Sequence, residues 1–346
     1  MPTVSVLMAV YNGQAYLKDA IESVFRQSFQ DYEYLVVDDG STDNTPDILK
    51  KYQEIDFRIK IIHKANTGLA DSLNTGLSAA GGEWVARLDA DDIAEPDRLE
   101  RQFAFVRRYS QTVLVGGAAL EIDAEGRPLR VKTYPGEHQA LVQNLECLKA
   151  FFPHSASFFR LQAVRDIGGY NKRFIRSQDY DLWLRLCRRG QIACLKDVVV
   201  RLRRHPVSLS NTQAGDLQFV MGIAALVCYF FRTREITDPA QMDQGSWDHF
   251  IAWLDRELLR QGCLEEIRAF RVVRERWLQA LADNSLSRVV EMAGLFVKNP
   301  DLVFALFRWF FPNRYRRLAI QLTQKALRDR PVHLAGVKDV DGFNQS

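Results

Sequence analysis

The chain has 346 residues, of which 47% are apolar and 26% charged, and its formal net charge is +3. This length and apolar content suffice to bury a large core, and they predict one large domain or one domain with a substantial appendage. The balanced charge argues against a dedicated nucleic-acid binder, and the 21 Phe, 11 Tyr and 6 Trp argue against disorder. Five cysteines without a CxxC pair indicate neither a disulfide framework nor a zinc site, so a reducing environment is expected.

The first residues, MPTVSVLMAV, carry no basic segment and do not resemble a secretory signal. The longest apolar run, residues 217–231, is short for a membrane span and contains Gln218. We therefore expect a cytoplasmic protein, and a peripheral position at the inner face of the cell membrane stays open.

Strand and helix signals alternate over the first 110 residues. Short apolar runs typical of buried parallel strands occur at Val4–Val10, Glu33–Val37, Ile59–Ile62 and Glu83–Leu88. Helical spacing follows each of them, at Ala15–Ser28, Asp43–Leu49 with Asp43 as the N-cap, Leu69–Ala80 and Pro96–Tyr109. This alternation predicts an α/β fold with a mostly parallel sheet flanked by helices. Polar clusters come directly after the strands, where such folds bind ligands.

The pattern is more mixed between residues 111 and 206 and helical after residue 216. The mixed segment predicts strands at 113–115 and 198–203, a hairpin turn at 124–128, an extended stretch at 151–159 and a helix at 179–189. We expect one domain over 1–215, with halves of about 1–110 and 111–215, then a helical region over 216–335 and a tail over 336–346.

Three carboxylates stand within four residues at the end of the fourth predicted strand, in Asp89-Ala90-Asp91-Asp92. Carboxylates two residues apart at such a turn can bind one hard cation, Mg²⁺ or Mn²⁺, and leave positions for substrate phosphates. Because the three acids repel each other, a positive charge is expected nearby, and Arg87 and Arg98 are the local choices. The alternative is a solvated acidic turn that caps the next helix.

Two further polar clusters follow the second and third strands. In Asp38–Asp43, a carboxylate could accept the N3–H of a uracil-like base; the alternative is a capped turn. In Asn66-Thr67-Gly68, the glycine allows the backbone to approach a ligand. The sequence contains neither a phosphate-binding P-loop nor a GxGxxG dinucleotide motif.

A fourth polar cluster, Ser177–Trp183, lies where a helix is predicted to begin. Asp179 would lie near the helix N-terminus, where the helix dipole favours an ionised carboxylate that can act as a base. The alternative is a helix cap followed by an apolar stripe. A lone histidine such as His154 is usually structural, whereas the basic pair Arg203–Arg204 before His205 suits an anionic diphosphate.

Together these clusters resemble the family 2 glycosyltransferases, which are inverting enzymes with the GT-A nucleotide-sugar fold. The resemblance covers about residues 3–210 and rests on segments 4–13, 37–43, 66–68, 86–102, 168–170 and 179–185. It implies a Rossmann-like domain with Asp179 as the general base and Mn²⁺ or Mg²⁺ as the cofactor. It further implies nucleotide contacts from Ala9, Tyr11, Asp39, Asn66, Gly68 and Asp89. Metal contacts would come from Asp91, Asp89 and His205, and acceptor-side contacts from His154, Gln178 and Asp181. The family usually has Glu where Gln178 stands.

The resemblance also implies an activity. A sugar would pass from a nucleotide-sugar, with UDP favoured, to a saccharide or lipid-linked saccharide during cell-surface polysaccharide synthesis. Processive synthases carry a QxxRW motif. The chain has two Arg-Trp pairs, at 276–277 and 308–309, but the Gln position is occupied by Val273 in the first and by Ala305 in the second. A non-processive enzyme is therefore favoured. The alternatives are a catalytically silent nucleotide-sugar binding protein and a nucleotidylyltransferase. A nucleotidylyltransferase would have a basic Gly-rich loop after the first strand, where this chain has Tyr11-Asn12-Gly13-Gln14.

Residues 302–317 combine a very apolar segment, which ends in Trp309-Phe310-Phe311, with Arg314, Arg316 and Arg317. Aromatic residues beside a basic cluster suit a membrane surface. The alternative is an amphipathic helix that packs on the catalytic domain or on a second subunit of a homo-oligomer.

Overall fold

The structure, a computed structural model, describes residues 1–205, 215–265, 268 and 313–329. The chain divides into two compact units, Met1–Thr212 and Gln213–Ser346. The first unit is an α/β domain, and the described part of the second is helical.

The first half of the α/β domain is built from alternating strands and helices, as the sequence predicts. The elements are β1 (Val4–Val10), α1 (Leu17–Phe25), β2 (Tyr32–Asp38), α2 (Thr45–Ile55), β3 (Ile59–His63), α3 (Leu69–Ala79) and β4 (Trp84–Arg87). The strands lie in the order β3-β2-β1-β4 and all pair in parallel. Strands β1, β2 and β4 are buried along their whole length, which explains their continuous apolar runs.

The second half extends the same sheet. Its elements are β5 (Ile93–Ala94), α4 (Arg98–Arg108), β6 (Thr112–Ile122), β7 (Pro128–Lys132), α5 (His138–Glu146), β8 (Phe158–Arg160), α6 (Leu161–Asp166), α7 (Gln178–Leu186) and β9 (Gln191–Arg203). The strand order continues as β4-β8-β6-β9-β5, with β7 paired to β6. Parallel pairing recurs between β6 and β9, whereas β8, β7 and β5 join the sheet antiparallel. The predicted parallel sheet is therefore confirmed for β1–β4, and the second half is mixed.

Several predicted bounds were wrong in the second half. The strand predicted at 113–115 extends from Thr112 to Ile122, where it pairs with β9 along its length. The stretch predicted as extended at 151–159 contains a 3-10 turn, His154–Ala156, before β8 begins. Pattern alone did not indicate either feature, since both depend on contacts between distant segments.

The core of the α/β domain lies on both faces of the sheet. Apolar side chains of β1 and β2 pack with those of α1, including Val6, Val36 and Ile21. At the centre, the ring of Trp84 stacks on that of Phe158 with centroids 5.3 Å apart, which joins the parallel half to β8. The strand ends that carry the polar clusters are thus fixed by a continuous core.

The described part of the second unit consists of α8 (Gly215–Arg232), a 3-10 turn (Pro239–Gln241), α9 (Gln244–Arg260) and α10 (Arg314–Asp329). Helix α8 is buried almost all round between residues 219 and 231, as expected for a helix without a polar face. None of the helices within the described residues is both long and apolar enough to cross a bilayer. Three segments discussed in the sequence analysis lie outside the described residues: the Arg-Trp pair at 276–277, the apolar segment at 302–311 and the tail at 336–346.

Candidate active site

The polar clusters of the first half meet at one edge of the sheet. Strands β2, β1 and β4 are parallel neighbours, so their carboxyl ends lie side by side. Ala9 lies near the end of β1, Asp39 directly follows β2, and Asp89 lies just beyond β4. Tyr11 follows β1 with 52% of its surface exposed, so its ring is available to a ligand. The structure therefore brings these predicted residues to one edge of the sheet, and their contact with a nucleotide stays a prediction.

Asp39 organises the loop that follows β3. Its carboxylate accepts hydrogen bonds from the Lys64 ammonium (2.7 Å) and from the backbone N–H groups of Thr67 (3.0 Å) and Gly68 (2.9 Å). Burial would raise the pKa of Asp39, but these donors lower it below its usual value, so the group stays ionised. The Ser72 side chain is a fourth hydrogen-bond partner of this carboxylate, which has about four lone-pair positions in all.

The neighbouring Gly40 allows this arrangement. It has φ +76°, and a Cβ there would lie 2.8 Å from the backbone nitrogen of Asn66. Only glycine both adopts this conformation readily and leaves that space free. As a result, Gly68 contacts Asp39 and Asn66 lies beside Gly40, and both residues are exposed.

Residues 89–92, called here the acidic turn, follow β4. An Arg87 nitrogen lies 2.5 Å from the Asp89 carboxylate, and the Arg87 side chain is fully buried. Burial would raise the pKa of Asp89, but the positive charge of Arg87 holds it below its usual value. Arg98, the other predicted counter-charge, contacts no carboxylate of the turn; it donates to the carbonyl oxygens of Arg87 and Ser157.

Ser155 also contacts the acidic turn, and the sequence analysis did not predict this role. Its hydroxyl donates to Asp89 Oδ2 (2.6 Å) and accepts the Asp89 backbone N–H (3.0 Å). The same oxygen lies 2.5 Å from Asp92 Oδ2. A hydroxyl has one proton, so a proton on Asp92 would complete this third contact; burial and the neighbouring carboxylates do raise the pKa of Asp92. The only sequence signal is a hydroxyl residue within a mainly apolar stretch.

His205 meets the second carboxylate of the turn. Its Nε2 atom lies 2.9 Å from Asp91 Oδ2, and its ring lies 4.9 Å from that of Tyr16 between centroids. Burial and the charge of Asp89 raise the pKa of Asp91, and His205 opposes that rise. The structure thus brings together Asp91 and His205, which are 114 residues apart in the sequence.

Both members of the basic pair before His205 already contact acidic groups or carbonyl oxygens of this chain, and their contact with a diphosphate stays a prediction. Arg203 donates to the Asp91 carbonyl (3.0 Å), the Ala124 carbonyl and the Asp19 carboxylate. Arg204 donates to buried Glu121 through its Nε (2.9 Å). Both guanidinium groups therefore stabilise the fold around the acidic turn.

The acidic turn and His205 together offer groups that suit a divalent cation. The turn supplies carboxylate oxygens, and His205 supplies an imidazole nitrogen. The carboxylates of the turn repel each other, which contributes to the raised pKa of Asp91. No group of three or more His, Cys, Asp or Glu side chains within the described residues converges as a ready-made metal cage. A cation with one or two protein carboxylates and substrate phosphates needs no such cage.

The predicted base lies at the start of α7. Asp179 is partly buried, and its Oδ1 accepts the N–H of Tyr180 at 2.8 Å. Burial raises the pKa of Asp179 above its usual value. Gln178 is the first residue of the helix and partly buried, whereas Asp181 is fully buried and accepts from Arg185 (2.9 Å). Asp181 is therefore engaged in an ion pair within the helix.

His154 lies in the interior rather than on an open surface. Its Nε2 is 2.7 Å from the hydroxyl of Tyr170, and burial lowers the pKa of His154 to about 3, so its ring is neutral. Asn74 fixes Tyr170 by donating to its carbonyl and accepting its N–H, both at 2.8 Å. These contacts join α3 to the segment before α7.

Comparison with known proteins supports the same family. A family model described as "Glycosyl transferase family 2" matches residues 5–168. The chain is 38% identical over 194 residues to EpsE of Bacillus subtilis (strain 168), an inferred glycosyltransferase, covering 55% of this chain and 68% of EpsE. It is 32% identical over 214 residues to an uncharacterized glycosyltransferase of Haemophilus influenzae, covering 59% of this chain and 66% of that protein.

Solved structures share the fold at lower identity. The S. aureus protein TarS 1–349 in complex with UDP-GlcNAc aligns with a TM-score of 0.54 and 16% identity, over 95% of this chain and 92% of that chain. The mannosyltransferase PcManGT from Pyrobaculum calidifontis, in complex with GDP-Man and Mn²⁺, aligns with a TM-score of 0.52 and 18% identity, over 95% and 88%. Both were solved with a nucleotide-sugar bound.

Proposed function

Since the chain belongs to glycosyl transferase family 2, we propose that it transfers a sugar from a nucleotide-sugar to an acceptor hydroxyl with inversion at the anomeric carbon. The observation that carries this proposal is the placement of Asp39 and the acidic turn at the carboxyl ends of β2 and β4, the two strands that flank β1. One cluster suits a nucleoside and the other a metal diphosphate. TarS and PcManGT, which share the fold, were solved with UDP-GlcNAc and GDP-Man.

The donor nucleotide is proposed to lie along this edge. Asp39 would accept the N3–H of a uracil-type base on an oxygen that it shares with one of its present donors, and Tyr11 would pack against the base or ribose. Ala9, Asn66 and Gly68 line the same edge, and Asp89 would contact the ribose. A UDP-sugar is favoured because a carboxylate accepts the N3–H of uracil well.

The chemical step is proposed to use Asp179. A Mn²⁺ or Mg²⁺ ion bound at Asp91, Asp89 and His205 would neutralise the charge that builds on the departing diphosphate. The Asp179 carboxylate takes the proton of the acceptor hydroxyl as that oxygen bonds to the anomeric carbon and the bond to the diphosphate breaks. The raised pKa of Asp179, caused by burial, makes it a stronger base than an exposed aspartate.

The acceptor is proposed to be a saccharide or lipid-linked saccharide of a cell-surface polysaccharide. In support, the chain is 40% identical over 129 residues to TuaG of Bacillus subtilis, a protein named for teichuronic acid biosynthesis, although that match covers 37% of this chain. Gln178 would lie on the acceptor side, whereas His154 is buried and could act there only indirectly, through Tyr170. Residues 302–317 are proposed to contact the membrane surface, and the alternative is that they pack on the catalytic domain or on a second subunit.

Calorimetry tests the proposal. UDP, GDP and dTDP are titrated into the wild-type chain with Mn²⁺ and with EDTA. We expect UDP to bind in a Mn²⁺-dependent manner and Asp39→Asn to weaken it about tenfold or more, since one charge-assisted hydrogen bond is worth about 1.5–3 kcal/mol. The exposed Asp47→Asn on α2 serves as the matched control. If the folded wild-type chain binds none of the three nucleotides, the proposed function is wrong.

Transfer is tested separately from binding. Incubation of a UDP-sugar that binds with a saccharide acceptor should release UDP only in the presence of metal. Binding without any release would favour a silent nucleotide-sugar binding protein, and release of pyrophosphate from UTP and a sugar phosphate would favour a nucleotidylyltransferase.

A further inference from the structure

We infer that Ser155 is a positioning residue that sets the geometry of the acidic turn for metal-dependent nucleotide binding. The predicted effect on metal affinity rests on the proposed function. The predicted effect on the structure of the acidic turn rests on the observed contacts alone. Ser155 touches the turn through one oxygen atom, which reaches both the backbone and the side chain of Asp89 and the side chain of Asp92.

The first step is the saturation of this hydroxyl. A serine Oγ offers one donor and two acceptor positions, and three polar groups of the acidic turn lie within 3.0 Å of it. Ser155 is fully buried, so water cannot replace the hydroxyl without entering the core. Its removal would leave the Asp89 N–H and two carboxylate oxygens without this partner.

The second step is the rigidity of the segment that carries Ser155. The 3-10 turn is held from outside by Gln102, which donates to the Ala156 carbonyl at 2.8 Å. The Ser157 carbonyl that follows accepts from the Arg87 N–H (3.0 Å) and from Arg98 (3.1 Å). Because the backbone that carries Ser155 is held in place, its hydroxyl fixes the positions of Asp89 and Asp92.

The third step is the position of Ser155 between Asp89 and Asp92, on either side of Asp91. With both neighbours fixed, the Asp91 carboxylate is confined to the side of the turn where His205 lies. Side chains that orient metal ligands in this way typically change metal affinity about 10- to 100-fold when removed. Ser155 belongs to the segment before β8 and so links that half of the domain to the donor edge.

Ser157 provides a matched control. It is also fully buried and lies two residues further along, but its hydroxyl donates to the His154 carbonyl at 2.6 Å and does not contact the acidic turn. That carbonyl also accepts the Ser157 N–H, so it keeps a partner in Ser157→Ala. The two alanine variants therefore remove the same atoms at equal depth.

Two measurements test the inference on the full chain. The first is the Mn²⁺ affinity in the presence of saturating UDP, followed by the electron paramagnetic resonance signal of free Mn²⁺. We expect Ser155→Ala to weaken Mn²⁺ binding about 10- to 100-fold, Ser155→Cys to weaken it less, and Ser157→Ala to leave it within about twofold. UDP binding in EDTA should be equal in all variants.

The second measurement, amide hydrogen exchange over residues 87–94, needs no ligand. Ser155→Ala should speed exchange of the acidic turn about tenfold or more, since the Asp89 N–H loses its acceptor, and Ser157→Ala should not. Unchanged exchange in Ser155→Ala, or an equal effect of both alanine variants, would overturn the inference. A wild-type chain that shows no Mn²⁺-dependent UDP binding contradicts the proposed function instead, and the exchange result still decides the role of Ser155. Should Ser155→Ala not fold, Ser155→Cys takes its place in both measurements.

Discussion

His205 Nε2 lies 2.9 Å from Asp91 Oδ2 although β5 to β9 separate the two residues in the sequence. We propose that this contact orients Asp91 for a metal or that both side chains bind that metal. In both cases His205→Ala should weaken Mn²⁺-dependent nucleotide binding about 10- to 100-fold without changing metal-free binding. Calorimetry with Mn²⁺ and with EDTA measures both. His249→Ala, an exposed histidine on α9, is the control, and equal affinities in the two variants would contradict a role in metal binding.

Asp179→Asn should retain donor binding and lose transfer. Removing a general base typically lowers kcat by about 10²- to 10⁴-fold. The control is Asp166→Asn, which changes an exposed aspartate at the end of α6. A kcat for Asp179→Asn equal to that of the control would show that another group takes the proton.

The same residue predicts a pH dependence. Burial raises the pKa of Asp179 in the folded chain, and the base acts only when it is ionised. The wild-type kcat should therefore fall as the pH drops through this raised pKa and reach a plateau above it. The kcat profile, measured at saturating donor and metal, should lose that inflection in Asp179→Asn. An inflection that persists in the variant belongs to another group.

Glu121 should stabilise the fold in a pH-dependent manner. It is buried beside three basic side chains, Arg130, Lys132 and Arg204. Burial would raise the pKa of Glu121, but these partners lower it to about 2. Because the pKa of Glu121 is lower in the folded chain than its ordinary value of 4.5, its ionised form stabilises the fold, by at most about 3 kcal/mol. This contribution is complete above pH of about 4.5 and is lost as the pH falls toward 2.

Glu121→Gln should accordingly lower Tm at pH 7, and the difference from wild type should shrink below pH of about 4. Circular dichroism melts at several pH values measure this. Glu125→Gln is the control, because Glu125 forms a surface pair with Arg127 in which both side chains are mostly exposed. A Tm difference for Glu121→Gln that is independent of pH would mean that packing, not charge, is responsible.

Asn74→Ala should destabilise the domain by about 1–3 kcal/mol, because it leaves the N–H and carbonyl of the buried Tyr170 without these partners. Chemical denaturation gives the free energy of unfolding. Ser78→Ala, one turn further along α3 and exposed, should change it by less than about 0.5 kcal/mol. A similar small change in Asn74→Ala would show that other contacts hold Tyr170.

The proposed membrane contact predicts a charge-reversal effect. Arg314→Glu, Arg316→Glu and Arg317→Glu together should abolish co-sedimentation with phosphatidylglycerol vesicles, since each basic residue near an anionic surface contributes about 1 kcal/mol. Arg107→Glu with Arg108→Glu, an exposed basic pair at the end of α4, should leave it unchanged. A wild-type chain that stays in the supernatant would favour packing or oligomerisation for this region.

Residues that follow a buried apolar run could be located from the sequence, because such runs predict strands and ligands bind at their carboxyl ends. This is why Asp39 and the acidic turn were identified and why β1 has the predicted bounds. Ser155 could not be identified this way. Its partners lie 63 and 66 residues away in the sequence, and no local periodicity encodes a contact of that range.

The partners of the basic pair Arg203–Arg204 could not be predicted for a related reason. Local composition indicates that two positive charges are available, but not what already neutralises them. In the structure Arg203 donates to Asp19 and Arg204 donates to Glu121. Whether a charge serves a ligand or the fold depends on partners that only the tertiary structure brings near.

The position of β8 beside β4 has a consequence for synthesis of the chain. Trp84 of β4 pairs with Arg160 of β8, so one edge of β4 has no strand neighbour until the segment around residue 160 has been made. During that interval an apolar strand presents free N–H and C=O groups, which is the kind of edge that recruits other chains. A nascent or truncated chain ending before Phe158 would carry β1 to β4 and yet expose the side of β4 that β8 covers. Such a product should aggregate rather than fold as a nucleotide-binding half.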